Sequence, residues 1–429
     1  MIHLKLQVLI TGFFLLNNLS FSQGWVQQTS STNSNLNCVY FINSTTGFVG
    51  GETVILKTTN SGFNWININS QNLSSIYGIQ FVDNLTGFAS TSNKVYKTVD
   101  GGVSWDTTIN GGGKNIFFIN NALGYSSINN NPFSIFRTTN SGNTWNSIFL
   151  NLTNYESNNL YFIDEFTGYA SGSYWVNMFA GLYSARIWKT TNAGMNWENS
   201  YTSTLSTYFS AMNNVIFTNS EIGYAIGYYG TPPASYVLKS SNAGINWISM
   251  QSISKMISMD FVGNDTGWFC GWDGKIYYTS NGCELMQQQI SNVNSKLSDI
   301  FMLNISIGFI VGDNGTILKT TNGGITAVGQ IGTAIPEEFS LSQNYPNPFN
   351  PTTQISFDIP KASFVTLVVY DGLGREIEQM VNQQLSPGSY NYDWDASSYP
   401  SGIYFYRLQA GDPSTKLSVI ETKKMVLIK

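Results

Sequence analysis

Residues 307–324 read IGFIVGDNGTILKTTNGG. Two short apolar, β-branched runs, GFIVG and TILKT, flank the turn former GDNG, and TTNGG closes the stretch. This is the composition of two strands joined and ended by tight turns. Its closing turn recurs as Thr/Ser-x-Asn/Asp-x-Gly-x-x-Trp. The copies are TTNSGFNW from Thr58 (Asn60, Gly62, Trp65), TVDGGVSW from Thr98 (Asp100, Gly102, Trp105) and TTNSGNTW from Thr138 (Asn140, Gly142, Trp145). They continue with TTNAGMNW from Thr190 (Asn192, Gly194, Trp197) and SSNAGINW from Ser240 (Asn242, Gly244, Trp247). Two copies are worn: TSNGCELM from Thr279, and TTNGGITA from Thr320 with Asn322 and Gly324 but no Trp.

Successive starts are separated by 40, 40, 52, 50, 39 and 41 residues. Ahead of each turn stands a Gly-aromatic strand, from Gly47-Phe48 to Gly308-Phe309, and before that another apolar strand such as CVYFI or MDFV. Four strands in a period of about 40–45 residues predict a seven-bladed β-propeller, and no helical period competes. In the turn, the Asn or Asp side chain can bond main chain two residues on, Gly takes positive φ, and Trp buries a large ring beneath the bend. The motif is a structural device. The last copy lacks its Trp, and GWVQQTS near the start of the chain supplies one, Trp25. The N-terminal strand is expected to complete the last blade and close the ring, covering two sheet edges.

The rest of the chain frames this domain. Residues 1–22 have the form of a secretory signal: Lys5, an apolar run at 6–16 too short to span a bilayer, and a small-x-small site cleaving between Ser22 and Gln23. No later segment is long and apolar enough for a transmembrane helix. Over 429 residues the net charge is −5, charged residues are 10% and no basic run occurs, which argues against nucleic acid as a partner. The single histidine, His3, leaves with the signal, removing His-dependent triads and His metal sites. Cys38, Cys270 and Cys283 have no metal spacing and read as small buried residues. No cofactor or metal site is expected.

The expected divisions are signal 1–22, propeller 23–329, linker 330–342 and C-terminal domain 343–429. In the last, QNYPNPFNPTT precedes alternating strands, including FVTLVVYD, GIYFYRLQAG and the terminal KKMVLIK, with a long loop at 411–422. Alternation of this kind predicts a small antiparallel, Ig-like β-sandwich.

Two resemblances follow from these motifs. The turn resembles the Asp-box of BNR propellers, and the whole repeat resembles the YCF48-like family over residues 24–327. Residues 343–429 resemble the type A C-terminal sorting domain of the type IX secretion system, through QNYPNPFNPTT, VYDGLGREI, PSGIYFYRL and KKMVLIK. That resemblance implies the type IX machinery as partner. It further implies export through the periplasm to the surface of a Gram-negative bacterium of the Bacteroidota or a near relative, with release or surface attachment.

Repeat spacing points to one candidate site. From the Gly-aromatic glycine to the turn Thr or Ser is 11 residues in blade one (Gly47 to Thr58), 22 in blade four (Gly168 to Thr190) and 17 in blade five (Gly223 to Ser240). Two adjacent blades thus carry insertions, expected as loops at 171–186 and 227–236. They hold Tyr174, Trp175, Phe179, Tyr183 and Arg186, then Tyr228, Tyr229 and Tyr236, residues suited to a glycan or a protein partner. The alternative is that these rings pack on one another. The BNR resemblance raises sialidase activity, which needs three arginines; the propeller has Arg137 and Arg186. A glycoside hydrolase needs two carboxylates. Asp164, Glu165, Asp260, Asp265, Asp273, Asp299 and Asp313 are available, most in expected turns. The YCF48-like resemblance adds a third reading, assembly of a membrane complex. Lys57, Lys97, Arg137, Lys189, Lys239 and Lys319 recur at one blade position and read as solvated. The favoured reading is a secreted or surface-displayed, non-catalytic binding module.

Overall fold

The computed structural model describes residues 24–429 except 70–72, 111–112, 129–133, 150–153, 178–181, 204–206, 209, 231–233, 255, 325–328, 333–334, 386, 397–398 and 412–417. The expected signal and Phe179 lie outside the described residues. The chain forms two compact units, Gly24–Thr326 and Ala327–Lys429.

Gly24–Thr326 is a seven-bladed propeller. Six blades are antiparallel sheets of consecutive strands; blade one runs Leu36–Phe41, Gly47–Gly51, Ile55–Thr58 and Ile66–Asn67. The seventh takes three strands from Leu297–Met302, Gly308–Gly312 and Ile317–Thr320, and its outer strand from Val26–Gln28, with Val26 opposite Lys319. Trp25 is 2% exposed and its Nε1 donates to Gln289 of blade six at 2.7 Å. The ring closes as the missing Trp implied.

The motif residues explain how blades join. In the turn, Thr58 Oγ1 donates to Asn60 Oδ1 (3.0 Å) and accepts from Gly62 N–H (2.9 Å), while Asn60 Oδ1 accepts from Asn64 N–H (3.0 Å). The worn blade-six turn keeps this geometry with Cys283 in the glycine place, at φ 70°. The Gly-aromatic glycines answer a packing demand: a Cβ on Gly47 would meet Phe41 Cε1 at 2.5 Å. That leaves Phe41 free to stack on Phe309 of blade seven at 4.1 Å between centroids. The same stack joins Phe48–Phe81, Phe88–Phe118, Tyr125–Phe162, Tyr169–Phe217 and Tyr224–Phe261, each between neighbouring blades. Trp65 then meets Phe41 and Phe309 edge-on. Such pairs contribute about 0.5–1.5 kcal/mol beyond their buried area.

The recurring cations, expected as solvated, are half-buried and hold partners. Lys57 Nζ donates to Gly101 O, Lys97 to Asn143 Oδ1, Lys189 to Ala243 O and Lys319 to Ser61 O, each in the next blade's turn. Lys239 pairs with Asp265 of blade six at 3.5 Å, and Arg137 Nε donates to Tyr125 Oη within its own blade. Main-chain carbonyls thus serve Lys57, Lys189 and Lys319, and side-chain oxygens serve Lys97 and Lys239.

The inserted segments also differ from expectation. Gly168–Asn177 pairs with Leu182–Thr190, and Gly223–Tyr229 with Ala234–Ser240. They are lengthened strand hairpins, because the ladder simply continues through the inserted residues.

Ala327–Lys429 holds two four-stranded sheets, Gly329–Gly332/Gly388–Asp395/Thr352–Ile359/Ser340–Leu341 and Glu376–Leu385/Ser363–Asp371/Gly402–Gly411/Ser418–Leu427. Ile355, Phe357, Val365, Leu367, Tyr406 and Met425 from both sheets share one core. The expected linker at 330–342 therefore overlaps two strands of this unit, Gly329–Gly332 and Ser340–Leu341, and the terminal strand starts at Ser418, inside the expected loop. The QNYPNPFN motif pins that strand. Gln343 Nε2 donates to Lys424 O at 2.7 Å and Asn347 Oδ1 accepts from Val426 N–H at 3.0 Å, while Asn344 Nδ2 ties the motif to Thr353 Oγ1 of the strand Thr352–Ile359 at 2.9 Å.

Candidate functional site

Antiparallel pairing sets Leu36 opposite Gly51 and Met256 opposite Gly271. The starts of the innermost strands and the turns between second and third strands therefore share one face. The two long hairpins rise from that face, around the mouth of the central channel.

The channel is a cavity of about 480 Å³ lined by the innermost strands of all seven blades. Near the mouth stand Asn37, Tyr77, Lys114, Asn158, Asn213 and Ser298. Asn37, Asn158 and Asn213 each donate Nδ2 to a main-chain carbonyl of the next blade: Ile76 O, Met212 O and Met256 O, at 3.0, 3.1 and 3.5 Å. Deeper, a second ring repeats the device. Tyr40 Oη donates to Phe81 O, Gln80 exchanges two bonds with Phe118, and Tyr161 Oη donates to Phe217 O.

Two aspartates complete these ties where the ring closes. Asp260 accepts from Met302 N–H at 2.7 Å, from blade six to seven, and from Phe261 N–H at 2.8 Å. Asp299 accepts from Val39 N–H at 3.0 Å, from blade seven to one, and from Ser258 Oγ at 2.8 Å. Burial pushes their pKa values up to about 7 and about 6, with the backbone donors pulling the other way. Both stand in innermost strands, unlike the turns in which most carboxylates were expected. Asp164 caps its turn through Phe166 and Thr167 N–H, and Asp273 sits in a turn at φ 57°. No three His, Cys, Asp or Glu side chains are grouped to hold a metal among the described residues. The three cysteines are free and buried.

The hairpin residues meet as follows. The Arg186 guanidinium lies 4.1 Å from the Tyr174 ring centroid and 6.0 Å from that of Trp188. Its Nε is buried with no hydrogen-bond partner, and no carboxylate pairs with it among the described residues. Trp175 packs edge-on against Tyr183 at 5.9 Å, and Tyr229 packs tilted against Tyr236 at 5.8 Å. Tyr236 is buried at 8% exposure; Tyr174, Trp175, Tyr183, Tyr228 and Tyr229 are partly buried. Burial first, then the Glu156 and Tyr183 charges, raise the pKa of Tyr228. Each hairpin thus carries its own ring pair, and Arg186 is left against the Tyr174 ring face. The channel residues escaped sequence reasoning, although the innermost strands carry a legible signal: polar residues inside otherwise apolar runs, as in LNCVYF and LSDIFM.

Residues 343–422 match the secretion system C-terminal sorting domain. The C-terminal unit thus carries type IX sorting information, which implies secretion to the cell surface or extracellular space. No curated protein matches the sequence. Among solved structures, YCF48 bound to D1 peptide is similar at TM-score 0.54 and 20% identity, over 70% of this chain and 97% of that one. YCF48 from Cyanidioschyzon merolae gives 0.53 and 13%, over 69% and 98%. An ancestral GH74 enzyme gives 0.52 and 10%, over 91% of this chain and 60% of the enzyme. At these identities the likeness is one of fold, which hosts both binding proteins and enzymes. No helix among the described residues is long and apolar enough to cross a membrane.

Proposed function

We propose that this chain is a secreted or surface-displayed binding module that engages a protein or glycan without catalysis, on the face where the channel opens between the hairpins of blades four and five. In this reading a signal peptide directs it to the periplasm of a Gram-negative bacterium, and residues 343–429 hand it to the type IX machinery. The observation that carries the non-catalytic part is the use made of Asp260 and Asp299. All four of their carboxylate oxygens accept hydrogen bonds from the protein itself, tying blades together. A glycosidase pair needs one carboxyl group to protonate a leaving group and another to face water or sugar. Binding is supported by the unpaired Arg186 on Tyr174 and by the lengthened hairpins beside the mouth. The YCF48 structure with D1 peptide shows that protein, of the same fold, holding a peptide.

The test is a glycan array and a hydrolase screen on the full secreted chain. The expected result is retention of a ligand without turnover, weakened by Tyr174→Ala and by Arg186→Gln. Release of sugar from any glycan would end the non-catalytic reading.

A further inference from the structure

We infer that the channel mouth is a site for a carboxylate-bearing saccharide, with Lys114 and Lys296 taking the carboxylate and the asparagine ring taking hydroxyls. This rests on the binding reading above and gives it a ligand class.

Lys114, at the start of blade three's innermost strand, and Lys296, just before that of blade seven, both line the cavity. Neither forms an ion pair among the described residues. Each ammonium instead lies near an aromatic ring: Lys114 is 5.9 Å from the Tyr77 centroid and Lys296 is 5.5 Å from that of Trp272. Burial lowers the pKa of Lys114, the Glu156 charge opposes that, and the Lys296 charge lowers it by a smaller amount. Two ammonium groups that line one concave cavity without an ion pair among the described residues, in a protein of net charge −5, favour an anion at its mouth.

The rest of the wall favours sugar over peptide. A peptide held by strand addition needs a free sheet edge. The inward edges of the innermost strands are already engaged by side chains of the preceding blade, at Ile76 O, Phe81 O, Phe118, Met212 O, Val215 N, Met302 N and Val39 N. Besides Asp299, whose oxygens are taken by Val39 N–H and Ser258 Oγ, the cavity is faced by carboxamides: Asn37, Asn158 and Asn213 spend Nδ2 on those ties, and no bond to a described residue engages their Oδ1. A sugar hydroxyl both donates and accepts, so it suits a ring of amides. Trp272 at 47% exposure and Tyr77 at 38% supply ring surface for a pyranose. A cavity of about 480 Å³ accommodates one or two such rings.

The experiment is calorimetric titration of the full secreted chain with an oligogalacturonate, the matched neutral galactose oligomer, and an oligoglutamate peptide. Lys114→Gln and Lys296→Gln are the variants, with the unfolding midpoint of each checked against the parent. Oligogalacturonate is expected to bind, to weaken roughly tenfold in either variant and on adding salt, and to outbind both other probes by a similar factor. Equal binding by oligoglutamate, unchanged affinity in both variants, or no binding of oligogalacturonate would overturn it. Neutral glycans held through Tyr174 and Arg186 would overturn this inference and leave the binding module standing. Cleavage of the oligomer would remove the binding-module reading itself.

Discussion

At the scale of single residues, the propeller is specified by a few side chains with stereotyped partners. The turn hydroxyl is the clearest. Thr138 Oγ1 accepts from Asn140 N–H at 3.3 Å and from the buried Gly142 N–H at 2.9 Å, and donates to Asn140 Oδ1 at 3.0 Å. Thr138→Val keeps the shape and removes the oxygen, leaving a buried donor without a partner. The expected loss is about 1–3 kcal/mol. Thr138→Ser is expected to restore most of it, since Ser240 makes the same bonds in blade five at 2.9–3.3 Å. Urea unfolding of the two variants against the parent checks both. Equal stability of valine and serine would show that the hydroxyl is dispensable.

At the scale of elements, the strand Val26–Gln28 has consequences out of proportion to its three residues. Alone it would not persist. It persists because its register on Ile317–Thr320 places Trp25 ahead of the outer strand, as Trp65, Trp105, Trp145, Trp197 and Trp247 stand in five other blades, and buries it with Trp268, Ile300 and Leu318. Trp25→Ala should cost about 3–5 kcal/mol, as for other buried large-to-small changes. Val26→Ala, at an exposed position beside it, should cost well under 1 kcal/mol. Thermal unfolding of the pair tests whether ring closure depends on the indole; similar midpoints would refute it. The lengthened hairpins show the converse. Insertion length was readable, but pairing was not, because alternation in SGSYWVNM is masked by aromatic residues on both faces.

At the scale of the whole molecule, the closure ties should make stability depend on pH in an unusual direction. Asp260 and Asp299 titrate near 7 and 6 in the fold, raised by burial from an ordinary 3.8. The folded state therefore binds more protons than the unfolded chain between about pH 4 and 7, and stability rises as pH falls through that window. The unfolding midpoint is expected to be higher at pH 5.5 than at pH 8. Asp260→Asn should flatten the profile, its amide oxygen still accepting from Met302. A midpoint that falls steadily from pH 8 to pH 5.5 would contradict this account.

What the sequence determined by itself was the repeat, the blade count, the closure by Trp25 and the sorting motifs. Each rests on local chemistry: a turn's hydrogen bonds, a strand's alternation, or a motif such as QNYPNPFNPTT that reads the same in any context. The tertiary structure decided what depends on neighbours far apart in the chain. It turned the recurring lysines from expected surface positions into links to the next blade's turn. It placed Asp260 and Asp299 in innermost strands, where Met302, Phe261 and Val39 N–H and Ser258 Oγ donate to their carboxylates. And it brought Lys114 and Lys296, 182 positions apart by number, to one cavity mouth. Their placement depends on where the ring closes, and closure is a property of all seven blades at once.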